Sequence, residues 1–81
     1  MTPEVILYTR KGCHLCETAK QHLLRARQSA PFALQEIDID GDPDLRARYH
    51  EEVPVITING KKAFKYQVDE QSFLKRLRDR T

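Results

Sequence analysis

The chain has 81 residues, 40% apolar and 32% charged, with a formal net charge of +2 and two cysteines. That describes one domain near the lower size limit for independent folding, with apolar material for a single core spread too regularly for disorder. The near-balanced charge argues against nucleic acid or a membrane as partner, and no apolar run reaches membrane-spanning length.

Pro3 and Glu4 followed by four apolar residues do not read as a signal peptide, so the expected location is the cytoplasm. Two cysteines in a reducing compartment are rarely a structural staple. A bridge between Cys13 and Cys16 closes so short a loop that it constrains little of the unfolded chain. The pair therefore points to redox chemistry or to a metal.

In chain order, Glu4 to Thr9 reads as a strand whose unbroken apolar run suits a central position buried on both faces. Thr9 to Gly12 is a polar turn. From Cys13 to about Arg27 the residues Leu15, Ala19, Leu23 and Ala26 recur at three- and four-residue steps. Glu17, Gln21 and Arg25 fall opposite them, which predicts an amphipathic helix. After Pro31, Phe32 to Ile39 reads as an edge strand. Asp42-Pro43-Asp44 starts a short helix, with Asp42 as cap, Pro43 in the first helical position and Asp44 near the positive dipole end. Leu45 and Tyr49 form its inner face. Val53 to Ile58 is a third strand, and Asn59-Gly60 is a two-residue hairpin signal that turns Lys61 to Lys65 back antiparallel. Asp69 caps a last helix with Phe73, Leu74 and Leu77 inward. Lys75, Arg76, Arg78 and Arg80 complement its negative end. The order β-α-β-α-β-β-α predicts an α/β fold: a four-stranded mixed sheet, opened by a parallel crossover and closed by a hairpin, with helices on both faces.

A Cys-x-x-Cys between a buried strand and a helix reads as a thioredoxin-like redox motif. At the helix N-terminus Cys13 faces unpaired N–H groups and the positive dipole end. Arg10, Lys11 and a protonated His14 add charge, so the Cys13 thiol is expected to ionise below the free value of about 8.5. Cys16, one turn further in, is the expected resolving thiol. The loop before the third strand should lie beside these cysteines, and a cis Val53-Pro54 bond would leave the Val53 backbone facing them. Zinc is the rival use of the thiols. Cys13, His14, Cys16 and one of His22 or His50 supply four ligands in number, but no second spaced pair exists. A third reading keeps the fold as a non-catalytic binding module. The aspartates from Asp38 to Asp44 lack the Gly and Glu of a calcium loop, and the basic C-terminal run lacks the aromatics of a nucleic-acid surface.

Tyr8-Thr9-Arg10-Lys11-Gly12-Cys13-His14-Leu15-Cys16, Asp38-Ile39-Asp40 running into Asp42-Pro43-Asp44-Leu45, and Val53-Pro54-Val55-Ile56 resemble the glutaredoxins. The similarity runs in order over nearly the whole chain and is nearest to a branch of small glutaredoxin-like proteins. It implies a thioredoxin fold with sheet order 2-1-3-4, a nucleophilic Cys13, a resolving Cys16 and a cis Pro54. It also implies no bound cofactor, with glutathione as a candidate reductant and a dimer-bridging iron–sulfur cluster as a rarer use of the fold. Glutathione-binding glutaredoxins carry a Gly-Gly pair and an acidic residue before the last helix, where this chain has Tyr66-Gln67, Val68 and Asp69. The resemblance gives Asp69 to the glutathione amine, Arg10 to a carboxylate and the Val53 backbone to the tripeptide. Tyr66 and Gln67 put side chains where close backbone approach is expected. His14-Leu15 stands in place of the usual Pro-Tyr, and the Trp that precedes thioredoxin's cysteine is absent. The expected substrate-binding set is thus Arg10, Lys11, His14, Leu15, Val53, Pro54, Tyr66, Gln67 and Asp69. The expected activity is reduction of protein or glutathione mixed disulfides by a cytoplasmic monomer, reset by glutathione or a reductase.

Overall fold

The computed structural model describes residues 2–50 and 52–80, with Arg80 described by its backbone only. Its elements are β1 (Glu4–Thr9), α1 (His14–Ser29), β2 (Ala33–Asp38), α2 (Pro43–Tyr49), β3 (Val55–Ile58), β4 (Lys61–Lys65) and α3 (Glu70–Arg80). The sheet runs β2-β1-β3-β4, with β1 and β2 parallel and the other two pairings antiparallel. This is the expected mixed sheet of order 2-1-3-4.

Alternation along the strands divides the core. Val5 and Leu7 of β1 and Ile56 and Ile58 of β3 meet Ala19, Leu23 and Ala26 of α1 and Phe73 and Leu77 of α3. The Phe32 and Phe73 rings meet at a tilt of 59°, their centres 5.1 Å apart, within this layer. Each Val, Leu, Ile or Phe side chain of this layer contributes about 1.5–3 kcal/mol when fully buried. On the opposite face Val55 packs with Ile39 and Tyr49, and the Tyr8 and Tyr49 rings lie 4.7 Å apart. Because α2 is only seven residues long, it covers part of that face and leaves Ile6 half-buried. Among the described residues no helix is long and apolar enough to cross a membrane.

Three features differ from expectation. The buried stripe of α1 is Cys16, Ala19, Leu23 and Ala26, whereas Leu15 is 46% exposed. Both sets satisfy helical spacing and share Ala19, Leu23 and Ala26, and the sheet selects Cys16 in place of Leu15 as the first member. Ile39 leaves the second strand for a single 3-10 turn, Ile39–Gly41, in which Asp38 Oδ1 accepts the Asp40 N–H at 2.9 Å. β3 begins at Val55, since Pro54 has no N–H to give the ladder. The local signals hold elsewhere. Asp42 caps α2 by accepting the Asp44 N–H at 2.9 Å, and Asn59 and Gly60 take φ of 52° and 85°, the left-handed pair of a tight hairpin. In the basic last turn Arg76 lies 5.7 Å from the Phe64 ring centre. The Arg80 side chain lies outside the described residues.

Candidate active site

The chain leaves β1 at Thr9 and turns through Arg10-Lys11-Gly12. Gly12 takes φ +77°, and the Cys13 N–H closes the turn on the Arg10 carbonyl at 3.3 Å. Cys13 is then the extended N-cap of α1, and its Sγ accepts the Cys16 N–H at 3.1 Å. This is one of the donors that the first turn of any helix leaves without an intrahelical partner. The two cysteines, 5.2 Å apart at Cα, are joined as a disulfide. Cys13 is half-buried and Cys16 only 3% exposed. An incoming group therefore meets Cys13 first. When the bridge opens, the charge left on Cys13 Sγ faces an N–H donor and the positive end of α1, which favour thiolate over thiol.

The other candidate residues reach this end of the sheet by register. Tyr8 pairs with Val55, so Val53 and Pro54 lie just beyond β3 where β1 turns toward the cysteines. The Val53–Pro54 bond is cis. Pro54 is fully buried, and its carbonyl accepts the Tyr66 N–H at 2.8 Å. Lys11 and His14 are exposed on the turn and the first helical residue.

Arg10 is used inside the protein. Its Nε and Nη2 donate to the two Asp40 carboxylate oxygens at 3.0 and 2.9 Å, and its Nη1 donates to the His50 carbonyl at 3.1 Å. Hydrogen bonding from this guanidinium, with its charge and that of Arg46, holds Asp40 below the usual carboxylate range. The fork ties the cysteine loop to the segment around α2, and an incoming carboxylate would compete with Asp40 for it.

Two clefts lie on either side of the start of α1, and the cysteines line the first of them. One, of about 410 Å³, is lined by the Arg10–Cys13 turn, Cys16 and a polar wall in which Lys20 and Glu36 pair at 3.5 Å. The other, of about 430 Å³, lies between α1 and the turn into α3, with Leu15, His22, Tyr66, Gln67 and Asp69 on its walls. In that turn Tyr66 takes φ +68°, and the Lys65 carbonyl accepts the Gln67 N–H at 2.8 Å. An i to i+2 bond around a positive φ is the pattern of a γ-turn of the rare, strained hand. Tyr66 thus occupies a conformation that glycine would take freely. Asp69 caps α3 as expected, accepting the Ser72 N–H at 2.9 Å. The Ser72 backbone and hydroxyl hold its carboxyl below the usual range, with a smaller contribution from His22.

The structure does not gather the candidate zinc ligands. His22 lies in the Tyr66 cleft, and His50 follows α2. Among the described residues no three of His, Cys, Asp or Glu are grouped to hold a metal ion. Sequence reasoning missed two participants. Asp40 lies thirty positions from Arg10 and carries no local signal for that pairing. The His22 wall was legible, since Leu15, Thr18 and His22 recur at helical spacing beside the buried stripe.

Residues 4–78 match the family described as Glutaredoxin-like domain (DUF836). The chain belongs to this glutaredoxin-like family. An uncharacterized protein of Mycobacterium tuberculosis is 33% identical over 73 residues, 84% of this chain and 75% of that one. A Nitrosomonas europaea protein solved by NMR superposes with a TM-score of 0.82 at 30% identity, over 95% of this chain and 93% of that one. A structural-genomics target from X. campestris superposes with a TM-score of 0.79 at 29% identity, over 93% of this chain and 96% of that one. The glutaredoxin-like fold is thus supported by sequence family and by solved relatives alike.

Proposed function

We propose that this glutaredoxin-like chain is a thiol–disulfide oxidoreductase. The observation that carries the reading is the half-buried Cys13 Sγ, bonded to the Cys16 N–H and bridged to the buried Cys16. In the reduced form the Cys13 thiolate attacks one sulfur of a substrate disulfide. The other substrate sulfur leaves as a thiolate and takes a proton. Cys16 loses its proton and attacks Cys13 in the mixed disulfide, releasing the second substrate thiol and forming the Cys13–Cys16 bond. Two electrons pass to the substrate, and two thiol equivalents, from glutathione or a dithiol reductase, return them. Val53 and Pro54 border the groove in which the substrate sulfur lies, with Lys11 and His14 at its mouth. The chemistry suits a monomer in a reducing compartment such as the cytoplasm.

Replacing each cysteine separately tests this. The Cys13→Ser variant should lose disulfide reduction entirely, and Cys16→Ser should accumulate a mixed disulfide with substrate, visible as an added mass that dithiothreitol removes. Retained turnover in both variants would sink the mechanism. Elemental analysis of the freshly purified protein gives a second check: stoichiometric metal with no free thiol after reduction would favour a metal-binding role.

A further inference from the structure

The cleft between α1 and the turn into α3 has a composition of its own. Leu15 and Tyr66, 46% and 45% exposed, both line it. Single exposed apolar side chains need no explanation. Here two share one cleft at the end of the sheet that carries the disulfide, and Phe64 and Ala19 add further apolar wall. Tyr66 is moreover held at φ +68°, fixed by its own N–H on the Pro54 carbonyl and by the Gln67 N–H on the Lys65 carbonyl. A turn with no other task would use glycine, as Gly12 and Gly60 do. Such an outlier at the edge of a reactive site points to a use for its side chain. The charge in the cleft is also one-sided. Asp69 is its carboxylate, His22 stands near it, and no Lys or Arg is among the lining residues. Lys65, the nearest lysine in sequence, lies over the Tyr66 ring at 5.5 Å and pairs with Glu52 at 3.7 Å.

We infer that this cleft receives a disulfide-bearing polypeptide with an apolar or aromatic residue beside the reacting cysteine and a basic residue for Asp69, and that Tyr66 sets the preference for it over glutathione disulfide. The inference rests on the oxidoreductase reading and names its substrate class. An extended segment lying along Leu15 and Tyr66 buries its apolar side chain against them and brings its sulfur toward Cys13. Its cation meets the carboxylate at the far wall. Glutathione has no large apolar side chain, and it carries two carboxylates against one ammonium into a cleft whose formal charge is negative. The electron transfer is the exchange already written, with the reduced Cys13/Cys16 pair as the reductant.

The test uses the reduced full chain and three oxidised substrates. They are a cyclic disulfide peptide with Leu and Lys flanking a cysteine, the same peptide with Ser at both positions, and oxidised glutathione. Each rate is divided by that of the same disulfide with dithiothreitol, which removes differences in intrinsic reactivity. The Leu/Lys peptide should be reduced roughly tenfold faster than the Ser/Ser peptide, the discrimination expected of one apolar side chain in a pocket. Tyr66→Gly should bring that ratio to within about threefold and raise turnover of oxidised glutathione. Leu15→Ser, at an exposed helical position, should narrow the ratio likewise and serves as the second variant should Tyr66→Gly fail to fold. Asp69→Asn keeps a capping side chain and should lower the rate on the Lys-bearing peptide alone by about two- to fivefold, with loss of its salt dependence. A wild-type ratio within about twofold of one, or a ratio that neither Tyr66→Gly nor Leu15→Ser alters, would overturn the inference. Equal reduction of all three substrates overturns this inference and leaves the oxidoreductase reading standing. Reduction of none of them overturns both.

Discussion

Gly12 and Tyr66 hold the backbone in the same left-handed region, at φ +77° and +68°, in two turns at the same end of the sheet. At the first turn the chain uses the residue that sterics favour. A Cβ at Gly12 would touch nothing within 4 Å, so conformation alone keeps glycine there, and what the turn delivers is the position of Cys13. At the second turn the chain accepts a side chain against the same preference, and the half-exposed ring lines a cleft with Leu15, the residue next to Cys16. One turn places a reactive atom and the other presents a surface. Strain is therefore informative at Tyr66 and uninformative at Gly12.

Exchanging the residue types breaks the comparison most sharply. Gly12→Ala should destabilise the protein by about 1–2 kcal/mol, since a Cβ at a left-handed φ costs more than the reduced freedom of the unfolded chain returns. For a chain of this size that is a fall in Tm of roughly 5–15 °C, read by thermal melting. Tyr66→Gly should move the melt the other way or not at all. Relief of the positive φ is offset in part by the greater freedom of glycine in the unfolded chain, leaving a gain of about 1 kcal/mol or less. A loss of stability in Tyr66→Gly as large as that in Gly12→Ala would mean that the ring holds the fold together, not that it serves a partner.

The fold was legible where chemistry is local. Asn59-Gly60, Asp42-Pro43 and Asp69 each determine a turn or a cap from one or two residues, and all three act as read. Leu15 was placed in the buried stripe of α1 because Leu15 and Cys16 both satisfy helical spacing with Ala19, and only the sheet decides which one is buried. Exposed, Leu15 lines the cleft, in keeping with its place in the expected substrate-binding set and not with a place in the core stripe. The φ of Tyr66 could not be read, because nothing in Lys65-Tyr66-Gln67 asks for it. It is imposed by Pro54, twelve positions upstream and brought near by the β3–β4 hairpin. Arg10 was expected to lend its charge to Cys13, and its fork with Asp40 depends on how the loop after β2 is folded.

Asp69 sharpens the comparison at smaller amplitude. Asp69→Ala should lower Tm, while Asp69→Asn should retain most of it, because asparagine caps nearly as well. A melt that drops equally in both variants would show that charge, rather than capping, is what Asp69 gives the fold.

The smallest effect expected is in acid. Asp40, Glu52 and Asp69 are all held below their usual values, chiefly by hydrogen bonds from Arg10, Lys62 and Ser72 respectively. The unfolded chain takes up its protons first as pH falls. Their stabilisation is therefore complete above the ordinary carboxylate range near pH 4 and is lost as pH drops through the depressed folded values. A series of melts from about pH 5 downward should show this decline. Arg10→Ala should flatten the Asp40 part of it, whereas Tyr66→Gly should leave the slope unchanged.

The most direct test of the central claim is the pH dependence of alkylation in the fully reduced protein, with the modified cysteine located by mass. If Cys13 is the nucleophile set at the mouth of α1, it reacts first, with a midpoint below that of a free thiol, and Cys16 reacts slowly. Equal reaction of the two cysteines, with a midpoint at or above that of a free thiol, would contradict the account.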